Sequence, residues 1–241
     1  MGTSSVFELR QYTLHPGQRE VLIDVFDREL VESQEEAGMQ VVGQFRDLDR
    51  PDRFVWVRGF ADMPARHAAL TSFYSGPVWA EHKDVANATM RDFDDVLLLR
   101  PLTPGTTFPE SETPRAPIGS SYQPQALVTA TLYRLAAPVS TAALELVIEH
   151  LDPLLDESGA ARLALLQTEP AENTYKALPV REGEHVLVRF ARFDGAEAHA
   201  EHHRELQRSQ AWDAAQRQLH PNLLAPPSEL RLQPTARSLI Q

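Results

Sequence analysis

The sequence predicts an α+β fold made twice, as two tandem βαββαβ modules whose sheets cover one another within one chain. Three observations carry this. First, residues 6–101 and 126–234 repeat one another: Tyr12-Thr13-Leu14 returns 121 positions later as Tyr133-Arg134-Leu135, and Gly38 returns as Gly159. The spacing widens to 131 for Val55, Val57 and Arg58 against Val186, Val188 and Arg189. It reaches 133 for Phe60, Trp79, Leu97, Leu99 and Pro101 against Phe193, Trp212, Leu230, Leu232 and Pro234. Spacings that hold within segments and change only at turns are the mark of a duplicated fold. Second, each copy switches between period-two and helical patterning in the order strand, helix, strand, strand, helix, strand. Third, such a unit is a ferredoxin-like split sheet with helices on one face, so its bare face needs a cover, and the second copy supplies it.

In the first module, residues 6–14 alternate Phe7, Leu9 and Gln11 against Glu8, Arg10 and Tyr12, a strand pattern, and His15-Pro16-Gly17 turns the chain. Residues 18–37 space Leu22, Val25, Phe26 and Leu30 as a helix that Gly38 ends. Met39–Arg46 and Phe54–Phe60 are strands joined through Asp49-Arg50-Pro51-Asp52. Asp62 caps a helix with Pro64 in its first turn, and a second helix from Val78 to Arg91 carries Trp79, His82, Ala86 and Met90 on one stripe. Asp92, Asp94 and Asp95 read as a solvated loop before a short strand, Val96–Arg100. The second module repeats the series. Leu127–Leu135 is a strand, Ser140 caps a helix ended by Gly159, and Arg162–Gln167 and His185–Phe193 pair through a longer hairpin. Helices near 196–208 and 210–220 precede a strand at 229–233. The domains expected are therefore 1–102 and 126–241, with residues 103–125, rich in Pro, Ser and Thr, as a linker crossing the surface.

Composition bounds the function. With 23 basic against 34 acidic residues the net charge is −11, which disfavours a nucleic-acid partner. No apolar run reaches the roughly 18–20 residues that span a bilayer, so no membrane role is expected. The start lacks the basic-then-apolar pattern of a secretory signal, and Val6 stands where the myristoylation pattern after Met1-Gly2 requires Ser or Thr. The absence of cysteine removes thiolate chemistry and suits a cytoplasmic protein. No phosphate loop, nucleophile elbow or dinucleotide fingerprint occurs, so no cofactor is assigned.

Phe7-Glu8-Leu9-Arg10-Gln11-Tyr12-Thr13-Leu14-His15-Pro16-Gly17 resembles the opening strand and turn of NIPSNAP-family proteins. Phe54-Val55-Trp56 through Asp62, Arg66 and Trp79 resembles that family's strand, helix and tryptophan segment. The resemblance is close over residues 6–101 and traceable over 126–234. It implies the dimeric α/β-barrel superfamily, here as an intramolecular barrel, with a pocket between helices and sheet. Relatives on that fold include cofactor-free monooxygenases, isomerases, cyclases and haem enzymes, so fold alone fixes no chemistry.

The residues singled out for chemistry lie mainly in the first module. Glu8, Arg10 and Tyr12 share a strand face that Arg58 can join from the next strand, a set able to bind or polarise an oxygen-rich small molecule. The plainer alternative is an ion pair that plugs a gap in the packing. Arg66 sits at a helix start, where the macrodipole disfavours a cation, so it needs a specific partner. Trp79 recurs as Trp212, which argues for anchoring as much as for a pocket wall. Tyr12 and His82 are the candidate acid–base groups. His199, His202 and His203 share one helical face at metal-ligand spacing, but no acidic ligand accompanies them, and their polar surroundings read as a solvated face with no metal. Glu8 and Arg10 become Thr129 and Thr131 in the second copy, which places the expected site in the first. Two readings stand: a binder of a small organic molecule performing a cofactor-independent monooxygenase-, isomerase- or cyclase-like reaction, or a non-catalytic binding or interaction protein. The sequence leaves open whether the protein is an enzyme and whether it forms a homo-oligomer.

Overall fold

The computed structural model describes residues 4–111 and 113–241; the Met1-Gly2 start weighed above for acylation lies outside the described residues. The first module comprises β1 (Val6–Leu14), α1 (Arg19–Val25), a π-helical turn (Phe26–Leu30), α2 (Val31–Glu36), β2 (Gln40–Asp47) and β3 (Arg53–Phe60). It continues through α3 (Met63–Tyr74), α4 (Pro77–Ala88) and β4 (Met90–Pro101). The second comprises β5 (Leu127–Leu135), α5 (Thr141–Leu146), a π-helical turn (Val147–Leu151), α6 (Asp152–Glu157), β6 (Ala161–Thr168), β7 (His185–Phe193), α7 (Ala196–Arg208), α8 (Gln210–Leu219) and β8 (Ser228–Pro234). The two π turns occupy the same place in the repeat, so the duplication preserves even an uncommon backbone irregularity. Each following helix ends at a left-handed glycine, Gly38 at φ 97° and Gly159 at φ 96°.

The eight strands close into a barrel in the order β1-β3-β2-β8-β5-β7-β6-β4, with β4 returning to pair with β1. Each module contributes the 4-1-3-2 order of a split βαββαβ sheet. The sheets face one another as expected, and their edges also join. Phe45 to Asp47 of β2 pair with Pro234 to Leu232 of β8, and Leu99 to Pro101 of β4 pair with Thr168 to Leu166 of β6. Closure removes the free edges that an open sheet would expose. The interior is one apolar core in which Phe7, Leu9, Phe45 and Val57 meet Val128, Ala130, Leu166 and Phe190. The outer face of each sheet is covered by its own helices. Both faces of β1 are thereby buried, which is why a strand alternating apolar with charged residues carries Glu8 and Arg10 fully out of solvent.

The structure changes expectations at the end of the first module, where the helix expected to run to Arg91 stops at Ala88, and in the linker. Strand β4 begins at Met90, so Asp92, Asp94 and Asp95 lie on a strand that pairs with β1 past irregularities at Gln11, Thr13 and Leu14, not in a loop. This segment extends beyond the buried core, so its strand is made by backbone pairing without an apolar signal. The linker does more than cross the surface: Phe108 inserts its ring into the barrel core, 5.4 Å from Phe7 and 5.0 Å from Phe190. The segment after β8 folds back onto the first module, with Thr235 N–H donating to the Gln44 carbonyl at 2.8 Å and Arg237 pairing with Glu32. Among the described residues, no helix is long and apolar enough to cross a membrane.

Candidate functional site

On the outer face of β1, beneath the helices of the first module, Glu8 sits at the centre of three guanidiniums. Its Oε2 accepts from Arg10 Nη1 at 2.7 Å and from Arg58 Nε at 2.8 Å, and its Oε1 accepts from Arg66 Nε at 2.7 Å. Strand register sets this up: Glu8 lies directly opposite Arg58 on β3, and Arg10 is one same-face step along β1. Helix α3, capped by the Asp62 carboxylate on Ala65 N–H at 2.7 Å, brings Arg66 down from above. The partner that a helix-start arginine required is Glu8. All four side chains are completely buried. Arg10 Nε also donates to the Tyr12 hydroxyl at 2.9 Å.

The charges do not balance. Three guanidiniums face one carboxylate, and several donors have no acceptor. Arg58 Nη2 lies 2.7 Å from Glu8 Oε2 but outside hydrogen-bonding geometry, while Arg66 Nη2 and the Trp56 indole N–H lack a partner among the described residues. Arg58 and Arg10 instead lie over the Trp56 ring, at 5.0 and 5.7 Å from its centroid. Burial alone would raise the Glu8 pKa, but Arg58, Arg10 and Arg66 outweigh it and hold the carboxyl far below its ordinary range. Burial pushes the Tyr12 phenol up against the pull of Arg10, so Tyr12 is a neutral phenol at neutral pH.

The second module closes this site. Its long β6–β7 hairpin, residues 169–184, reaches across to the first module, where Asn173 Oδ1 accepts from Arg66 Nη1 at 3.0 Å. Tyr175 stacks on Tyr74 at 6.0 Å and 26°, and Leu178 and Val180 pack on the first module's outer core. A groove of about 490 Å³ runs along the base of the same hairpin, walled by Leu98, Arg100, Gln167, Arg181 and Glu184. It contains none of the four charged residues, but Leu98 is the β4 residue paired with Glu8.

The structure thus brings together Glu8, Arg10, Tyr12, Arg58 and Arg66. Trp79 stands at the margin, 5.0 Å from Tyr74 and 5.7 Å from Phe73. His82 does not join them: it is half-exposed on α4, with Nε2 3.6 Å from Glu29 Oε2. Sequence reasoning missed Asn173 and Tyr175, although the longer second hairpin was visible as a shift in repeat spacing. It also missed Trp56, Tyr74 and Gln34, which accepts from Arg58 Nη1 at 3.1 Å.

The second module fills the equivalent space differently. Arg189, the counterpart of Arg58, is satisfied by Asp152 Oδ1 and Asp156 Oδ1, each at 2.8 Å, and by the Ala160 carbonyl at 2.9 Å. Burial raises the phenol of Tyr133, the counterpart of Tyr12, to about 12. The histidine face expected to be solvated is turned inward. His199 and His202 are buried, because Phe193 packs against both rings at 4.9 and 5.2 Å. An acidic partner that the sequence did not suggest, Glu229 from β8, lies 2.9 Å from His199 Nε2.

Comparison with known proteins agrees with this architecture. The NIPSNAP family model matches residues 7–102. No curated protein matches the chain in sequence. Among solved structures, a candidate monooxygenase from Fusobacterium nucleatum superposes with a TM-score of 0.57 at 8% identity, over 98% of this chain and 94% of that one. A candidate monooxygenase from Lactobacillus acidophilus gives 0.55 at 11% identity over 99% of both chains. An anthrone oxidase-like protein gives 0.55 at 16% identity over 96% of this chain and 92% of its own. At these identities the likeness establishes the shared fold. Residues 7–102 thus match the NIPSNAP family model, and the rest of the barrel repeats the same βαββαβ strand order.

Proposed function

We propose that the protein binds a small organic acid in the first module, between β1 and helix α3 and beneath the 169–184 hairpin. One observation carries this: three buried guanidiniums share a single carboxylate, with donors left over. A buried uncompensated charge costs several kcal/mol, which a purely structural cluster has no reason to retain. The second module is the internal control, since there the equivalent arginine pairs with two carboxylates, one of them shared with Arg162, so that charges balance. A ligand carboxylate or enolate would meet the free guanidinium N–H groups bidentately. Tyr12, Trp56 and Tyr74 offer ring surface to its carbon frame. Glu8, Arg10, Arg58 and Arg66 are the binding residues in this reading, with Trp79 at the rim. Tyr12 is the residue placed to donate a proton to a bound oxygen, which suits a cofactor-independent isomerase-, cyclase- or monooxygenase-like reaction.

A second reading, a non-catalytic binding protein, draws support from the complete closure of the cluster, which leaves a reactant no open path in this conformation. Mass spectrometry of small molecules released by denaturing natively purified protein tests the proposal. Wild type is expected to release an organic acid that Arg66→Met protein does not. Recovery of no acid from wild type, or of equal amounts from both, refutes it. An acid recovered unchanged after long incubation with the protein favours the non-catalytic reading.

A further inference from the structure

Helix α7 of the second module places two imidazoles against a carboxylate. His199 Nε2 lies 2.9 Å from Glu229 Oε1 and 3.1 Å from His203 Nε2, and His203 Nε2 lies 3.7 Å from Glu229 Oε1. Three donor atoms on two elements therefore mark a triangle with sides of 2.9, 3.1 and 3.7 Å. An ion bound to nitrogen and oxygen at about 2.0–2.1 Å sets its donors roughly 2.9 Å apart at right angles and roughly 3.4 Å apart at tetrahedral angles. Two sides fall within that range, and the third, 3.7 Å to the half-exposed His203, lies just above it.

We propose that His199, His203 and Glu229 form a binding site for a divalent transition-metal ion of the zinc class. Two imidazoles and one carboxylate are a donor set suited to zinc, cobalt, nickel or copper, and poorly suited to the all-oxygen preference of magnesium or calcium. The spacing of His199 and His203, one turn apart on α7, aims both rings at one point. Hydrogen bonding alone accounts badly for the arrangement. Two neutral rings can share one proton across their 3.1 Å contact, but the ring that donates it turns that donor away from the carboxylate. A cation at the centre accepts all three lone pairs at once.

The surroundings hold the donors in place. The Phe193 ring stands edge-on to His199 at 82°, fixing its plane, and Thr131 Oγ1 lies 3.4 Å from the other Glu229 oxygen. His202 takes no part, because its Nδ1 faces Ser158 Oγ at 2.8 Å. His199 is 7% exposed and Glu229 26%, whereas His203 is 47% exposed, so the site is walled on the inside and reachable from solvent at His203. Three protein donors leave at least one position for water or a small ligand, the arrangement of a Lewis-acid site rather than a closed structural one. In repeat terms, His199, His203 and Glu229 stand where the first module has Arg66, Leu70 and Val96. Of these three, only Arg66 belongs to the arginine cluster of the first module. This site lies in the other module and uses none of the residues of the proposed acid site, so either can fail without the other.

The full-length chain, stripped with chelator, would be titrated with Co²⁺ and followed by its visible d–d absorption, then with Zn²⁺ by calorimetry. Wild type should bind one equivalent, with the intense visible bands of a low-symmetry site. His203→Ala, at a half-exposed position the fold tolerates, and Glu229→Gln should each weaken binding by at least roughly tenfold, since even supporting residues around a metal cost about 10–100-fold. His220→Ala, an exposed histidine outside the triangle, should bind as wild type does. Failure of wild type to bind an equivalent overturns the proposal. So does retention of wild-type affinity and spectrum by His203→Ala.

Discussion

Glu8→Gln preserves the size and reach of the side chain while removing the one negative charge among three buried guanidiniums. Three N–H donors end on its two oxygens at 2.7 to 2.8 Å. A hydrogen bond to a charged group contributes about 1.5–3 kcal/mol, but three on one carboxylate are not independent and do not add. The better guide is the cost of breaking a buried pair, about 3–5 kcal/mol, and the mutual repulsion of the remaining cations places Glu8→Gln at the upper end. Against a total stability of about 5–15 kcal/mol this is a large fraction. With a urea slope of about 3 kcal/mol/M, a loss of ~4 kcal/mol lowers the unfolding midpoint by roughly 1.3 M. The effect carries a pH signature. Glu8 has a depressed pKa in the fold, so its contribution is complete above the unfolded carboxylate value of about 4.3 and is lost as pH falls toward the folded value. The gap between wild type and Glu8→Gln should therefore be constant from pH 8 to about 5. At pH 3 it should be narrower by roughly 1.8 kcal/mol, the equivalent of the 1.3 units between 4.3 and 3. A loss below about 1 kcal/mol at neutral pH, or a gap unchanged at pH 3, would show that the cluster is not the closed ion network described above.

Removing a cation should behave oppositely: because the cluster holds surplus positive charge, Arg66→Met should cost less than about 2 kcal/mol in the same urea assay, well short of Glu8→Gln. Asn173→Ala removes the acceptor that ties the 169–184 hairpin to Arg66, and tryptic cleavage at the exposed Lys176 should accelerate several-fold; an unchanged rate would mean that the hairpin is held by other contacts. Phe108→Ala should cost about 3–5 kcal/mol in thermal or urea unfolding, because the ring fills the barrel core and the linker cannot collapse to replace it. Gly159→Ala should cost about 1–2 kcal/mol although a Cβ there meets nothing within 4 Å, the whole effect being the left-handed backbone; a neutral outcome would show that the turn relaxes freely.

The architecture was legible because duplication writes each packing position twice. Tyr12 with Tyr133, Gly38 with Gly159 and Trp79 with Trp212 hold equivalent places, and the alternation in β1 identified the face that carries Glu8 and Arg10. Arg66 announced itself as a cation at the wrong end of a helix. What stayed hidden depends on long-range closure. The reach of residues 169–184 over the first module follows from where the two sheets join, which no local pattern encodes. Glu229 lies 26 residues beyond His203 in sequence and meets it only through the pairing of β8 with β5. The solvated-face reading of His199 and His202 failed for a related reason: a polar helix can be packed inward when its polar groups find partners on the sheet below. Strand β4 exceeded its expected length because backbone pairing with β1 needs no apolar side chain.

The two modules share a backbone but not a charge plan, and the difference is informative. Arg58 and Arg189 hold equivalent positions beneath equivalent helices. In the second module Asp152 and Asp156 come from the adjoining helix, and the arginine is locally neutralised. In the first module those two positions are Val31 and Glu35; Glu35 pairs with Arg115 of the linker, and Val31 is apolar. Arg58 is left to share Glu8 with Arg10 and Arg66. A satisfied solution to the same packing problem therefore exists within the same chain, reached by placing carboxylates on one helical turn. Drift toward stability would favour that solution in both copies, since surplus buried charge is destabilising and a helix-borne aspartate is a small change. Its absence from the first module places the departure from local consistency where binding would require it. The rest of the barrel, with one continuous interior core inside a closed ring of strands, supplies the stability that such a departure needs.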